Sequence, residues 1–265
     1  MTEALIPRRL VLTGLGALGI VACTPDNGRP SLVGESTTTN APLLRNLVEP
    51  AAADPISQEQ AEASRDLAYR SIVATANTEV VRVFDEPDGE IIHEIANPTP
   101  TGGPLVFLMT ESANDWLEVL LPLRPNGSTG WIHTEDATLT AHHYRIAVDL
   151  DDFRLRVFDR DETVFDAVAG VAAENSPTPG GRYYLTELLA PPEPDTIYGS
   201  FAYGLSGFSD TFETFNGGPG QLGIHGTNAP EALGTNVSSG CIRLHNDDVA
   251  RLVRFLPLGV PVDVT

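Results

Sequence analysis

Two side chains capable of covalent chemistry stand close together in "IHGTNAPEALGTNVSSGCIRLHN", residues 224–246. Cys241 can serve as a thiolate nucleophile, and His225, sixteen residues upstream, as its base. Acyl transfer through a cysteine needs a group to take the thiol proton, backbone N–H donors for the developing oxyanion, and room for a carbonyl. His225 ends the apolar run "QLGI", and Gly226 leaves space beside it. Gly240 allows close backbone approach just before Cys241, so the N–H groups of Gly240 and Cys241 are candidate oxyanion donors. Ser238 and Ser239 offer oxygens that can orient an imidazole. On residue types alone a catalytic thiol and an inert, buried one both stay open. His225, Cys241 and His245 lack the paired spacing of a zinc site.

The rest of the chain limits the setting. Its 265 residues are 42% hydrophobic and 20% charged, enough to bury a core. High Gly and Pro counts, 24 and 21, favour turns and strands over long helices. A net charge of −20 argues against nucleic acid as a partner, because phosphate backbones are read by clustered Lys and Arg. At the N-terminus Arg8-Arg9 precede a 13-residue apolar run, Leu10 to Ala22, which is short for a bilayer span and suits the core of a signal peptide. The run ends in Ile20-Val21-Ala22-Cys23, which resembles the lipobox of bacterial lipoproteins, and the arginine pair resembles a twin-arginine signal. Residues 1–22 are therefore expected to be a signal peptide and Cys23 a lipidation site. That places the protein outside the cell, on the outer face of the cytoplasmic membrane or in the cell wall, touching membrane only through its lipid. With Cys23 lipidated, Cys241 has no disulfide partner, and an unpaired thiol in an exported protein calls for a reason.

Several elements must position these residues. Residues 23–76 read as a linker: a Thr/Pro/Asn-rich tether to about Pro55, then a short helix within 57–70 with Ser57 as N-cap and Gln60 three residues on. Residues 77–139 hold five short apolar or alternating runs split by turn residues, which argues a small barrel. Trp116 and Trp131 are expected to pack rather than stack on a ligand, and His93 and His133 are given no role. Residues 140–265 again read as strands, with one helix from Asn246 to Phe255 capped by Asn246. The Gly/Pro/aromatic stretch 191–220 shows no clear period and reads as a binding loop, a lid or disorder.

"HGT" followed by "SSGCIRLHN" resembles the signature of the L,D-transpeptidase catalytic domain of the YkuD type, His-Gly-Thr/Ser, a spacer, then Ser/Thr-His-Gly-Cys-Ile/Val-Arg. "TPGGRYYLTE" upstream and "NDDVARLVRFLPLGVPVDVT" downstream extend the resemblance over about 143–265, in a form most like exported actinobacterial members. "VRVFDEPDGE" and "WLEVLLPLRPNGSTGWIHTED" resemble a bacterial SH3-like domain. The expected fold is mainly β: a small SH3-like β-barrel, then an L,D-transpeptidase-type β-sandwich with one or two short helices.

The resemblance implies Cys241 as nucleophile, His225 as base, Ser238 as support for the histidine and Gly240 as part of the oxyanion hole. It implies Arg243 either in substrate-carboxylate binding or in a salt bridge holding the loop, with Gly226, Thr227 and Tyr203 on the substrate surface. Ser239 stands where the family usually carries histidine, so His225 acts without a second imidazole, and His245 is expected to be structural. The implied reaction is attack on a peptidoglycan stem tetrapeptide, release of D-Ala, and transfer to the amine of a neighbouring stem as a 3→3 cross-link. No cofactor or metal is implied, and carbapenems are expected to acylate Cys241. An L,D-carboxypeptidase using water as acceptor, or a non-catalytic peptidoglycan-binding lipoprotein, are the competing expectations.

Overall fold

The computed structural model describes residues 46–63, 70–215 and 217–265. The expected signal peptide, Cys23 and most of the tether lie outside them. The described residues belong to one compact unit, and the fold is mainly β, with two short α-helices.

The N-terminal sheet has eight strands in the order Asp54–Pro55, Ala137–His142, Ser71–Ala76, Val106–Ala113, Trp116–Leu120, Thr129–His133, Val80–Phe84, Ile91–Ala96, and each pair in this path is antiparallel. Alternation drives the outer strands: Val81 and Val83 are buried while Val80 and Arg82 face out. Val81, Val83, Phe107, Leu117, Val119 and Ile132 form a core of this sheet's own. Trp116 joins the packing, its ring edge-on to Phe84 at 4.9 Å. The sheet begins before residue 77. Ser71–Ala76 is covered on both sides, and a strand buried on both faces loses the alternation that would reveal it. The helix Gln58–Ala63 starts with the reciprocal cap its sequence indicates: Ser57 Oγ accepts from Gln60 N at 3.2 Å, and Ser57 N donates to Gln60 Oε1 at 2.8 Å.

The C-terminal sheet runs Glu162–Val168, Arg154–Asp159, Tyr144–Asp149, Pro261–Val264, Gly181–Ala190, Ala202–Phe208, Gln221–His225, Ile242–Arg243, with Asn46–Leu47 added beside Gly181–Ala190. Two neighbouring pairs are parallel, Tyr144–Asp149 with Pro261–Val264 and Gln221–His225 with Ile242–Arg243. Val73, Val106, Leu108 and Leu120 of the N-terminal sheet join the C-terminal core, and Tyr184, fully buried, donates its hydroxyl to Val106 O at 3.0 Å. The two sheets thus share a packed boundary.

Two elements differ from the sequence reading. Inside the aperiodic 191–220 stretch lies a central strand, Ala202–Phe208. Its glycines disguise it. A Cβ on Gly204 would come within 2.8 Å of Glu187 Cγ, and one on Gly207 would collide with the Tyr183 ring. Close packing thus excludes the β-branched residues that mark a strand. The last helix is Asn246–Val253, and its N-cap is His245, whose Nδ1 accepts from Asp247 N at 3.3 Å. Asn246 is released for the work described below.

Candidate active site

The parallel register aligns Ile224 with Ile242 and His225 with Arg243. Both isoleucines are fully buried on one face, so the opposite face carries His225 and Arg243, with Gly223 and Cys241 one step back. A two-residue offset between neighbouring strands puts the Cα atoms of His225 and Cys241 about 8 Å apart, within side-chain reach of each other. Gly223 leaves this face open beside the sulfur: a Cβ there would stand 4.0 Å from Cys241 Sγ and only 2.9 Å from Tyr203 O. His225 and Cys241 line the same narrow slot, about 30 Å³, with Tyr198, Phe212, Ser239 and Arg243.

His225 is 3% exposed, and its Nδ1 lies 2.6 Å from Gly226 O. A carbonyl only accepts, so Nδ1 carries the proton and Nε2 remains the acceptor nitrogen. The Tyr198 ring stands edge-on at 5.1 Å. Burial pushes the imidazole down to about 4, the Arg243 charge adds to this, and the Gly226 carbonyl opposes it. Cys241 is partly exposed, and its thiol is pushed up by burial, against a backbone hydrogen bond from Gly223 and the positive charge of Arg243. The resting pair is therefore neutral thiol and neutral imidazole. A thiol depressed by its histidine, the usual signature of a preformed ion pair, is not what this geometry gives, because burial disfavours both charged forms.

The turn before Cys241 is held from within. Ser238 Oγ donates to Cys241 O at 2.5 Å and accepts from Gly240 N at 3.2 Å, while buried Thr178 donates Oγ1 to Gly240 O at 2.8 Å. Gly240 has a φ of +128°, a conformation that favours glycine, and a Cβ there would press on Leu222 Cδ2 at 3.0 Å. These contacts correct two expectations. Ser238 shapes the cysteine turn, while Gly226 O orients the imidazole. The Gly240 N–H donates to Ser238 Oγ inside the turn and is engaged there. Gly170 fixes Arg243 from the other side, through paired backbone bonds of 2.8 Å in each direction.

Three further expectations are placed by the structure. Tyr203 is 1% exposed with its hydroxyl on Leu256 O at 3.3 Å, so it is a core residue and not part of the substrate surface. Gly226 and Thr227 adjoin His225 but face Asn246, whose Oδ1 accepts from Thr227 N at 3.0 Å and Ser200 N at 3.2 Å. A Cβ on Gly226 would collide with that same oxygen. Both therefore anchor the end of the histidine strand. Ser239 is exposed at the slot and His245 is exposed at its helix cap. Asn246 and Thr178 are positioning residues that residue types alone do not reveal. The quoted Thr-Pro-Gly run marked Thr178, but its partner is 62 residues away in sequence.

The buried imidazoles make stability pH-dependent. His142 is 6% exposed and is pushed down to about 4 by burial, with His143 adding and the Gly259 backbone opposing. His225 and His142 both titrate near 4 in the fold, against an ordinary 6.5. As pH falls the unfolded chain takes up these protons first, so stability is present above 6.5 and is lost as pH drops towards 4. Each site removes roughly 3 kcal/mol by the end of that window. Glu187, raised by burial against the Thr101 hydroxyl, titrates in the opposite sense and offsets part of the loss. Denaturant midpoints measured across this range are expected to fall steadily, and a flat profile would show that the imidazoles are not held neutral.

Residues 143–264 match the L,D-transpeptidase catalytic domain, YkuD. A Bacillus licheniformis protein assigned as the L,D-transpeptidase YkuD is 35% identical over 122 residues, 46% of this chain and 66% of the relative. The Bacillus subtilis protein of the same assignment is 28% identical over 123 residues, 46% of this chain and 65% of the relative. The chain thus covers just under two thirds of the length of these relatives. Among solved structures, an L,D-transpeptidase from Mycobacterium smegmatis is 16% identical, covering 84% of this chain and 98% of that one, with a TM-score of 0.38, too loose a likeness to carry an argument. Residues 143–264 of this chain are thus an L,D-transpeptidase catalytic domain of the YkuD type.

Proposed function

We propose that this protein is a peptidoglycan L,D-transpeptidase that forms 3→3 cross-links through a thioester on Cys241. The observation that carries the reading is the pairing of strands Gln221–His225 and Ile242–Arg243, which sets an accepting imidazole nitrogen and a thiol on one face of one slot. The donor carbonyl is that of the third residue of a stem tetrapeptide. As Sγ bonds to it, Nε2 of His225 takes the thiol proton, and the Cys241 N–H is the proposed oxyanion donor. The C–N bond to the terminal D-Ala then breaks, and the imidazolium returns its proton to the departing amine. The amine of a neighbouring stem attacks the thioester, His225 removes the amine proton, the C–S bond breaks, and the imidazolium passes that proton to the sulfur to restore the thiol. The first attack needs only a neutral base and a neutral thiol, as general base catalysis does.

Arg243 supplies the anion contact in this reading. Its Nε is buried without a hydrogen-bond partner, and among the described residues no carboxylate pairs with it. That favours a donor carboxylate over a salt bridge within the loop. Ser239 lies at the rim of the slot as a substrate contact. Carbapenems, which offer a strained acyl group, are proposed to acylate the same sulfur. Export by the signal in residues 1–22 and lipid anchoring at Cys23, at the outer face of the cytoplasmic membrane, suit a wall substrate and rest on sequence.

Intact mass spectrometry with a purified disaccharide-tetrapeptide tests the whole reading. A thioester adduct on the Cys241 peptide, free D-Ala and a cross-linked dimer are expected. Adduct and D-Ala with tripeptide as the sole product would instead make the protein an L,D-carboxypeptidase. Absence of both adduct and D-Ala, from folded protein, would remove the enzyme assignment.

A further inference from the structure

One wall of the slot comes from residues 208–215, beside the start of the histidine strand, and the N-terminal sheet bonds to it. Ser209, Phe212 and Phe215 line the slot with Cys241. Ser209 Oγ accepts from Thr211 N and Phe212 N, both at 3.2 Å, which curls the backbone into a tight turn. That turn leaves two carbonyls pointing outward, Ser209 O and Phe212 O. Both are taken by one nitrogen, Arg124 Nη2, at 2.9 and 2.8 Å. The same guanidinium lies over the Phe208 ring, 4.7 Å from its centroid. Two residues on, Asn126 pairs with the Phe208 backbone as a neighbouring strand would: Nδ2 donates to Phe208 O and Oδ1 accepts from Phe208 N, each at 2.8 Å.

Arg124 and Asn126 sit at the tip of the hairpin between Trp116–Leu120 and Thr129–His133, far from the cysteine in sequence. The tip is itself built: Ser128 Oγ donates to Pro125 O at 2.7 Å, Leu121 N donates to Ser128 O at 2.8 Å, and Gly127 takes a φ of +83°. Elsewhere the wall is tied to the start of the histidine strand by Ser209 N, which donates to Gly220 O at 2.8 Å, and Phe215 and Gly218 exchange backbone bonds of 3.0 and 2.9 Å; the slot it bounds, at about 30 Å³, admits little more than one water.

We propose that Arg124 and Asn126 are positioning residues for the active site: the N-terminal hairpin fixes residues 208–215 as the wall that sets the width of the approach to Cys241. The N-terminal sheet is then a part of the site that selects what reaches the sulfur. The meaning of that selection, a choice among acyl donors, rests on the transpeptidase reading, while the geometry of access does not. A guanidinium bonded to two carbonyls and an amide paired with a backbone would, when removed, loosen a turn that keeps its internal bonds and its backbone tie from Ser209 N to Gly220 O.

The test uses the full chain and reads the Cys241 peptide by mass spectrometry, so that Cys23 does not contribute. Alkylation rates are measured with a small reagent, iodoacetamide, and a bulky one, an aryl-substituted maleimide. The native protein is expected to favour the small reagent strongly. Arg124→Ala and Asn126→Ala should each lower that small-to-bulky preference by about tenfold, the scale of losing charge-assisted or paired hydrogen bonds. Arg124→Lys, which keeps a cation able to reach a carbonyl, should restore part of it. Hydrogen exchange in the 208–215 peptide should quicken in both alanine variants. A reagent preference equal to that of the native protein in both variants would overturn the proposal. A shifted preference in a protein that forms no thioester with tetrapeptide would uphold the wall and sink the transpeptidase reading instead.

Discussion

Cys241→Ser is expected to cut D-Ala release from a stem tetrapeptide by at least about 10³-fold while the denaturant midpoint hardly moves. The contacts that shape the cysteine turn use the Cys241 carbonyl, the Gly240 backbone and the Ser238 hydroxyl, so exchange of sulfur for oxygen leaves them intact. Reactivity does not survive the exchange. His225, pushed down to about 4, is a weak base, adequate for a thiol whose proton leaves as the carbon–sulfur bond forms. An alcohol is far less acidic, and so weak a base gives it little help. The measurement is D-Ala release alongside intact mass. A serine variant that still accumulates acyl-enzyme at a comparable rate would remove Cys241 as the nucleophile.

What the sequence made legible, and what it hid, follows from how far apart the partners lie. Cys241 and His225 are visible because one strand ends at the histidine and the strand paired with it begins after the cysteine, so chemistry and spacing fall in one short stretch. The strands around them announce themselves by alternation, as Leu155 and Val157 do between half-buried neighbours in Arg154–Asp159. Ala202–Phe208 does not. Its glycines answer to the Tyr183 ring and the Glu187 stem on an adjacent strand, a demand written in packing and not in local sequence. Hidden with that strand is the burial of Tyr203, which the resemblance places on the substrate surface. The cap assignment slipped by one residue because Asn246 is the better capping type. Its side chain instead serves the backbones of Ser200 and Thr227. The direction of the thiol shift is hidden for a similar reason: a histidine upstream is visible in sequence, but the burial that pushes the thiol up is not. Arg124 is the extreme case. Nothing near "LRPNGS" hints that its guanidinium reaches carbonyls 85 and 88 residues further along the chain.

His225→Ala should lower turnover at neutral pH by about 10²–10⁴-fold, and the size of the defect should itself depend on pH. In the native protein the base form persists down to the imidazole's own titration near 4, and the proposed activity is expected to fall only as pH drops through that value. Without the imidazole, attack must wait for thiolate formed by solvent. Burial holds the Cys241 thiol above its ordinary value, so that fraction is small at neutral pH and grows about tenfold per pH unit until the thiol titrates. The variant's rate should therefore climb steeply with pH while the native rate is nearly level, and the gap between them should narrow as the solution becomes alkaline. A histidine that merely positioned its neighbours would give a different result, a constant ratio of rates at every pH. Parallel profiles would thus assign His225 to structure. Converging profiles would show that its contribution is removal of the thiol proton during attack, the role that a buried, neutral imidazole with its Nδ1 proton committed to Gly226 O is built to perform.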